Sequence, residues 1–122
     1  MISGIGTDLV EVERIARSIS DEKGFREMIF SEAEIAYCES CKNKFEHYAA
    51  RFAAKEAFFK ALGTGWTTGT LFNEIEIIHT ASGKPEIQLL GNTAKTITQT
   101  GKIFVSLSHT KTMASAIVII EK

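Results

Sequence analysis

The sequence contains few of the residues and patterns that mark specialised proteins. Among 122 residues there are one proline, one tryptophan and two cysteines. No apolar run reaches the roughly 20 residues that a membrane-spanning helix needs. Acidic and basic residues number 15 and 14, so the formal net charge of −1 provides no general attraction to nucleic acid or to an anionic membrane. We therefore expect neither nucleic acid nor a membrane as a partner.

The composition is that of an ordinary globular protein, with 44% hydrophobic and 24% charged residues. The length predicts a single domain over 1–122 with a modest core. The opening residues, MISGIGTDLVEV, lack the basic region of a signal peptide and already carry Asp8 and Glu11. From this we expect a cytoplasmic protein.

The two cysteines, Cys38 and Cys41, have C-x-x-C spacing. Such spacing can indicate a redox pair or half of a zinc site, but no second cysteine pair and no H-x-x-x-H motif follow. The pattern favours two reduced thiols at the end of a helix.

Apolar periodicity predicts an opening strand followed by four helices. Ser31 and Glu34 have the spacing of a capping box. Asn43 is a plausible N-cap for the longest helix, with Glu46 at its third position, and Gly63 suits the left-handed residue that ends a helix. The predicted elements are a strand over 2–10 and helices over 11–20, 25–29, 31–39 and 43–62.

The second half of the chain has the two-residue period of strands. A turn is indicated at 82–85, and 92–99 is compatible with a short helix or a loop. The final AIVII segment is apolar on both sides, so that strand is either central in the sheet or pressed against another subunit. Strands are predicted over 72–80, 86–90, 103–108 and 113–120. The fold class is α+β, with one long helix packed on a mostly antiparallel sheet.

Gly4, Gly6 and Asp8 lie on one side of the first strand, because strand side chains alternate. Two glycines leave space over that side for another backbone or for a ligand. Asp8, expected at the strand end, has two possible roles. It either stabilises the N-terminus of the following helix or provides a ligand for a cation.

Glu56 is in line with the apolar face of the long helix, which has the i, i+3, i+4 spacing. A buried, unpaired carboxylate is costly. One explanation is an ion pair with Lys60 at i, i+4, worth only about 0.3–0.5 kcal/mol when exposed. The other is a metal ligand, with Lys60 beside it as a phosphate contact. Lys55 is on another face, where we expect it to be exposed. The apolar face consists of Phe45, Tyr48, Ala49, Phe52 and Phe59.

Asp8 and Glu56 together suit a hard cation, because no histidine or cysteine cluster accompanies them. Mg²⁺ in proteins takes one or two carboxylates and completes its shell with water and substrate phosphates. The two acids and the nearby lysine therefore predict a Mg²⁺ site that a phosphorylated substrate completes.

The segment SLSHT places Ser106, Ser108 and His109 at a strand end. No acid stands at an offset that would build a Ser–His–Asp triad, and no G-x-S-x-G elbow is present. A lone histidine is more often structural than catalytic. The Gly4-Ile5-Gly6 segment lacks a third glycine, which excludes a dinucleotide-binding fingerprint.

Five motifs, in this order, resemble those of the holo-acyl-carrier-protein synthases, the short bacterial-type 4′-phosphopantetheinyl transferases. Together they span most of the chain. The motifs are GIGTDLVEVERI at 4–15, FSEAE at 30–34, RFAAKEAFFKALGTG at 51–65, SGKPEI at 82–87 and VSLSHT at 105–110.

The resemblance implies transfer of 4′-phosphopantetheine from coenzyme A to a serine of apo acyl carrier protein, in support of fatty acid biosynthesis. The other product is adenosine 3′,5′-bisphosphate. Asp8 and Glu56 match the family's Mg²⁺ ligands, and Lys60 matches the lysine that acts on the leaving phosphate. Either Glu56 or a metal-held water is implied as the base for the serine proton.

The resemblance also implies a homotrimer with coenzyme A between subunits, and His109 contributed across that interface. Arg51 matches a basic residue near the 3′-phosphate end, where Lys42 and Lys44 supply a similar contact. The implied coenzyme A contacts are Arg51, Lys60, Gly63, Thr64, Gly65, Gly83, Lys84, Pro85 and His109.

Arg14 matches a residue of the surface that contacts the acidic carrier protein in the family. Arg17 is a further basic residue of that surface, and Phe25 could supply an apolar contact there. Here acids lie among the basic residues of that surface, so we expect weaker electrostatic attraction or a shifted docking position. The intervening acids are Asp21, Glu22 and Glu27.

Two other functions are compatible with Asp8, Glu56 and Lys60. One is a Mg²⁺-dependent nucleotide pyrophosphate hydrolase, and the other is a non-catalytic nucleotide-binding domain.

Overall fold

A computed structural model describes residues 1–122 as two antiparallel sheets and five helices. The strands are β1 (Ile2–Glu11), β2 (Ile75–His79), β3 (Pro85–Leu89), β4 (Ile103–His109) and β5 (Met113–Glu121). The helices are α1 (Val12–Asp21), α2 (Phe25–Ile29), α3 (Glu32–Ser40), α4 (Lys44–Leu62) and α5 (Gly91–Thr96), with a 3₁₀ turn at Phe72–Glu74. The predicted α+β class is confirmed. None of the helices combines the length and apolar character needed to cross a membrane.

The larger sheet has the strand order β1-β5-β4, and α4 packs across one of its faces. The apolar strand β5 is the central strand, which is one of the two positions predicted for it. β2 and β3 form a separate hairpin. The face of the larger sheet that α4 leaves uncovered is called the open sheet face below. It carries Ile5, Thr7, Leu9, Phe104, Ser106, Ser108, Ser115, Ile117 and Ile119.

Two glycines allow the backbone of β1 to lie directly against the backbone of α4. A Cβ atom at Gly4 would overlap the carbonyl oxygen of Ala61, and one at Gly6 would overlap that of Ala57. The space predicted over this side of β1 is therefore filled by another backbone. Alanines on the facing turns of α4 complete the close fit because they add little volume.

Helix α4 is buried on almost every side, so the predicted exposure of Lys55 is wrong. Its side chain has no solvent exposure, and its Nζ donates to Glu34 Oε1 at 2.8 Å and to the carbonyl oxygen of Phe72 at 2.8 Å. Glu34 Oε2 in turn accepts from the N–H of Ile77 at 3.0 Å. This buried pair connects α4 to α3 and to the start of β2. Burial lowers the pKa of Lys55, and the adjacent carboxylate opposes that shift.

Several predicted boundaries differ from the structure. β1 continues to Glu11, which pairs with Met113, so Asp8 lies within the strand and not at its end. The predicted strand over 72–80 begins with a 3₁₀ turn, in which Phe72 stacks on Phe52. The segment 92–99 contains the short helix α5.

The helix ends agree in part. The Ser31 capping box is formed, with both of its hydrogen bonds. Gly63 ends α4 in the left-handed conformation at a φ of 81°. Asn43, in contrast, precedes α4 without any side-chain capping bond.

The contact between β1 and α4 predicts a steep cost for a methyl group at Gly6. Gly6→Ala should lower the free energy of unfolding by about 3 kcal/mol, because the new Cβ overlaps a backbone atom that cannot rotate away. Gly24→Ala is the control, since nothing lies within 4 Å of its added Cβ. Only the cost of a left-handed backbone, about 1–2 kcal/mol, applies there. Urea denaturation of both variants measures the difference, and equal losses would contradict the close contact.

Removing the charge of Lys55 should leave Glu34 as an uncompensated buried acid. Lys55→Met is expected to cost about 3–5 kcal/mol of unfolding free energy. Lys44→Met removes the partner of Glu39 from a surface pair whose side chains are 40% and 34% exposed, and should cost less than about 1 kcal/mol. The same denaturation experiment compares them. A Lys55→Met protein as stable as the Lys44→Met protein would show that the buried pair is not essential.

Candidate active site

Asp8 and Lys60 meet at the free edge of β1. Lys60 Nζ donates to Asp8 Oδ1 at 3.1 Å and to the carbonyl oxygen of Thr7 at 3.0 Å. A cavity of about 610 Å³ opens beside them on the open sheet face, where Ser106 and Ser108 also line it. The site is thus a surface cavity at a sheet edge, with a lysine reaching around that edge from α4.

Glu56 lies one turn before Lys60 and is half-buried, but the two do not form the ion pair that is one explanation for their spacing. Lys60 pairs with Asp8 instead. Burial raises the pKa of Glu56, and the negative charge of Asp8 raises it further, while Lys60 and Arg14 oppose the shift. The charge of Asp8 therefore disfavours the ionised form of Glu56.

The donor set of this site fits a hard cation. Asp8 and Glu56 supply carboxylate oxygens only, which is the chemistry that Mg²⁺ prefers. Nowhere in the chain do three or more potential protein ligands form a metal cluster. A cation held here would take its remaining ligands from water or from substrate phosphate.

Arg51 is buried, with 2% of its surface exposed, and no carboxylate pairs with it. Its guanidinium lies 4.5 Å from the ring centre of Tyr37 and its Nη2 lies 3.3 Å from His79 Nδ1. Its Nε has no hydrogen-bond partner. This is a preformed positive charge without a counter-ion, one turn before Lys55 on α4.

All three histidines of the chain belong to the group around Arg51. Tyr37 stacks on His79 with ring centres 5.5 Å apart and meets His47 edge-on at 5.7 Å. His47 meets His109 at 5.2 Å. Because a guanidinium only donates, Nδ1 of His79 must accept and its hydrogen lies on Nε2. Burial, together with the nearby Arg51, lowers the pKa of His79. Burial, then His109 and Arg51, lower that of His47.

The S-x-S-H motif is divided between the two faces of the sheet. Ser106 and Ser108 face the open side, whereas His109 pairs with Ala114 on the side that α4 covers. There His109 Nδ1 lies 2.9 Å from Glu46 Oε1. The three residues were predicted together at one strand end, and the alternation of side chains along β4 places His109 opposite the two serines.

The remaining predicted coenzyme A contacts lie outside the cavity beside Asp8. Gly63, Thr64 and Gly65 form the exposed segment that follows α4. The turn before β3 places Lys84 and Pro85 beside Lys102 in a second cavity of about 410 Å³. Gly83 is at the tip of that turn, with nothing near its Cβ position.

The lysines at the start of α4 form a third cleft. Lys42, Lys44 and Lys111 line it together with Glu46, in a volume of about 290 Å³. Lys111 adds a positive charge that sequence analysis did not assign to this place.

The predicted carrier-protein residues occupy α1 and α2. The Arg14 guanidinium lies 5.9 Å above the ring of Phe52, and Phe25 packs on the same ring. Arg17 is exposed. Arg26 pairs with Glu27 and Glu39. Its positive charge is therefore largely balanced within the chain.

Both cysteines are free thiols, as predicted. Cys38 is fully buried, and burial raises the pKa of its thiol to about 12. Cys41 is half-buried, and its Sγ donates to the carbonyl oxygen of Tyr37. A buried thiol with so high a pKa is unreactive.

Sequence reasoning missed Tyr37, His47, His79 and Glu46. The three histidines are separated by 32 and 30 positions, as their numbers 47, 79 and 109 show, so no local spacing links them. The one available signal is Glu46, whose position in the first turn of a helix suggests a capping role that it does not perform.

Comparison with known proteins supports the family resemblance that the motifs indicate. The profile of the 4′-phosphopantetheinyl transferase superfamily matches residues 4–114. A holo-acyl-carrier-protein synthase from Cytophaga hutchinsonii is 47% identical over 126 aligned positions, which cover 100% of this chain and 99% of that protein.

Solved structures agree with the sequence relatives. The holo-acyl-carrier-protein synthase of Neisseria meningitidis superimposes with a TM-score of 0.90 at 35% identity, covering 100% of both chains. That of Bacillus anthracis, solved in complex with coenzyme A (3′,5′-ADP), gives 0.84 at 35% identity, covering 100% of this chain and 98% of that one. This chain therefore belongs to the 4′-phosphopantetheinyl transferase superfamily and, within it, to the holo-acyl-carrier-protein synthases.

Proposed function

We propose that this protein transfers the 4′-phosphopantetheine group of coenzyme A to a serine hydroxyl of an apo acyl carrier protein. The serine oxygen forms a bond to the phosphorus that carries the pantetheine arm. The bond from that phosphorus to the bridging oxygen breaks, and adenosine 3′,5′-bisphosphate leaves with the electron pair. The serine proton is released in the same reaction.

One observation supports this function most strongly. Within a chain related over its whole length to holo-acyl-carrier-protein synthases, the fold brings Asp8, Glu56 and Lys60 to one sheet edge. Phosphoryl transfer requires positioning and charge stabilisation more than covalent participation by the protein. Asp8 and Lys60 line the open cavity, and Glu56 interacts electrostatically with both, so the three residues would supply those functions.

The residues of this edge have distinct proposed roles. Asp8 and Glu56 would hold Mg²⁺, which neutralises charge on the diphosphate when it is bound. Lys60, which pairs with Asp8 in this structure, would direct its ammonium at the bridging oxygen of the leaving group and stabilise the charge that develops there. Its exposed side chain, 56% accessible, gives it the freedom to do so.

Arg51 is proposed to act at the 3′-phosphate end of coenzyme A. Since it is buried beneath Tyr37, it acts there through its uncompensated charge in a medium of low polarity. His109, with Lys42 and Lys44, supplies the surface contacts. Gly63 to Gly65 and the turn Gly83 to Pro85 are proposed to border the nucleotide.

The acidic carrier protein is proposed to dock on α1 and α2. Arg14 is the best placed contact, because its guanidinium lies above the same Phe52 ring on which Phe25 packs, and its charge opposes the rise in the pKa of Glu56 that burial causes. Arg17 adds an exposed positive charge, and the half-buried Phe25 adds an apolar contact. Acids among these residues reduce the attraction.

We further propose that three copies of the chain assemble through the open sheet face. Large apolar side chains are exposed there, and such surfaces usually mark an interaction site. Ile5 is 60%, Leu9 65%, Phe104 41% and Ile117 36% exposed. Because Ser106 and Ser108 share this face with the cavity beside Asp8, a neighbouring subunit would border the site.

The transfer reaction gives the main test. Apo carrier protein incubated with coenzyme A, Mg²⁺ and the enzyme should gain the mass of one phosphopantetheine group, as measured by intact-protein mass spectrometry. Asp8→Asn and Glu56→Gln should each reduce the rate at least about 10³-fold while remaining folded, because a cation site loses a charged ligand. Chelation of Mg²⁺ should stop the wild-type reaction reversibly.

Glu11→Gln is the matched control, since Glu11 is an exposed acid at the end of the same strand. It should retain the wild-type rate. Loss of coenzyme A without carrier protein would favour a pyrophosphate hydrolase. Binding of coenzyme A with neither transfer nor dependence on Mg²⁺ would favour a non-catalytic domain.

The assembly has its own test. Ile117→Lys places a charge on the central strand of the open sheet face and should convert a trimer to a monomer in light scattering. Met28→Lys changes an equally apolar residue, 62% exposed on α2, and should leave the mass unchanged. A wild-type monomer at micromolar concentration would rule out the proposed assembly.

A further inference from the structure

Glu46 does not perform the capping role that its position predicts. It lies in the first turn of α4, three residues after Asn43, where a capping-box acid normally reaches back to the N-cap N–H. Asn43 makes no side-chain capping bond here. The Glu46 carboxylate instead contacts His109 at the end of β4, with Oε1 2.9 Å from Nδ1.

This contact determines which ring nitrogen of His109 carries hydrogen. An ionised carboxylate only accepts hydrogen bonds, so Nδ1 must be the donor. Nε2 then makes no hydrogen bond within the chain, and 29% of the side chain is exposed. The His47 ring packs against this imidazole, with ring centres 5.2 Å apart and an interplanar angle of 60°. The His109 ring is therefore held by the bond at Nδ1 and by contact with His47, while Nε2 remains available.

We propose that Glu46 is a positioning residue for coenzyme A. By holding Nδ1–H of His109, it fixes the ring so that Nε2 is presented to the substrate. Glu46 and His109 belong to the same chain, so the pair is complete in each subunit. The inference rests on the proposed function, in which His109 contacts coenzyme A.

If Glu46 served only the helix dipole, replacing it would destabilise α4 but leave the hydrogen position on His109 unchanged. Acids in the first turn of a helix are favourable whether or not they have a side-chain partner. Glu32 occupies such a place in α3, is exposed and makes no side-chain hydrogen bond. Glu32→Ala therefore loses the dipole interaction alone, which makes it the matched control for Glu46→Ala.

The hydrogen position is testable in the protein without substrate. The chain has three histidines, so side-chain ¹⁵N NMR can identify the His109 signals as those that His109→Gln removes. At a pH where the rings are neutral, wild-type His109 should carry its hydrogen on Nδ1. Glu46→Ala should move it to Nε2, whereas Glu32→Ala should change nothing. A wild-type Nε2–H form, or an Nδ1–H form that persists in Glu46→Ala, would overturn the proposal.

A second experiment measures the effect of Glu46 on substrate binding. Glu46→Ala should raise KM for coenzyme A about tenfold with a much smaller change in kcat, because ground-state binding is what is lost. Glu46→Gln, which keeps an acceptor for Nδ1–H, should recover part of the loss. In a His109→Ala background, Glu46→Ala should add nothing.

The NMR and kinetic experiments distinguish failure of this proposal from failure of the proposed function. If the wild-type protein does not transfer phosphopantetheine, the function fails, whereas the NMR result still reports on the Glu46–His109 pair. If the wild type is active and Glu46→Ala has wild-type KM, or raises KM equally with and without His109, the positioning role is wrong.

Discussion

The direct contact between the backbones of β1 and α4 fixes the position of every group at the candidate active site. Gly4 and Gly6 allow Ala57 and Ala61 to approach the strand without intervening side chains. Asp8 follows on the same side of β1, so it meets the same turns of α4, where Glu56 and Lys60 project beside the alanines. A larger residue at either glycine would separate the strand from the helix and the two acids from each other. The small residues therefore determine the chemistry as much as the charged ones do.

Helix α4 uses its charged residues in three different environments. Lys55 is fully buried and paired with Glu34, which ties the helix to α3 and β2. Arg51, one turn earlier, is also buried but has no acid beside it. Lys60 lies at the edge of the sheet with 56% of its side chain exposed, and Glu56, one turn before it, is half-buried. A paired buried charge stabilises one packing arrangement, whereas an unpaired one favours binding of an anion. Neighbouring charges on one helix thus differ in what surrounds them, and the proposed functional roles fall to those without a buried partner.

The sequence predicted elements with strong local signals and failed where distant contacts decide. Helix α3 and the end of α4 followed from Ser31 and Gly63, whose preferences are local. The burial of Lys55 could not be predicted, because its partners come from α3 and from the segment before β2. Asp8, Glu56 and Lys60 were proposed together from residue chemistry and family resemblance, and the structure brings them to one place. The group of three histidines carried no local spacing, so only the fold reveals it.

A crystal structure of the protein with coenzyme A and Mn²⁺ in place of Mg²⁺ would test the central claim most directly. Mn²⁺ prefers the same oxygen ligands and can be located by anomalous scattering. The account predicts one anomalous peak within ligand distance of both the Asp8 and Glu56 carboxylates, with the diphosphate of coenzyme A bound to it and Lys60 Nζ beside the bridging oxygen. A peak that only one of these acids contacts, or coenzyme A bound away from Lys60, would contradict the account.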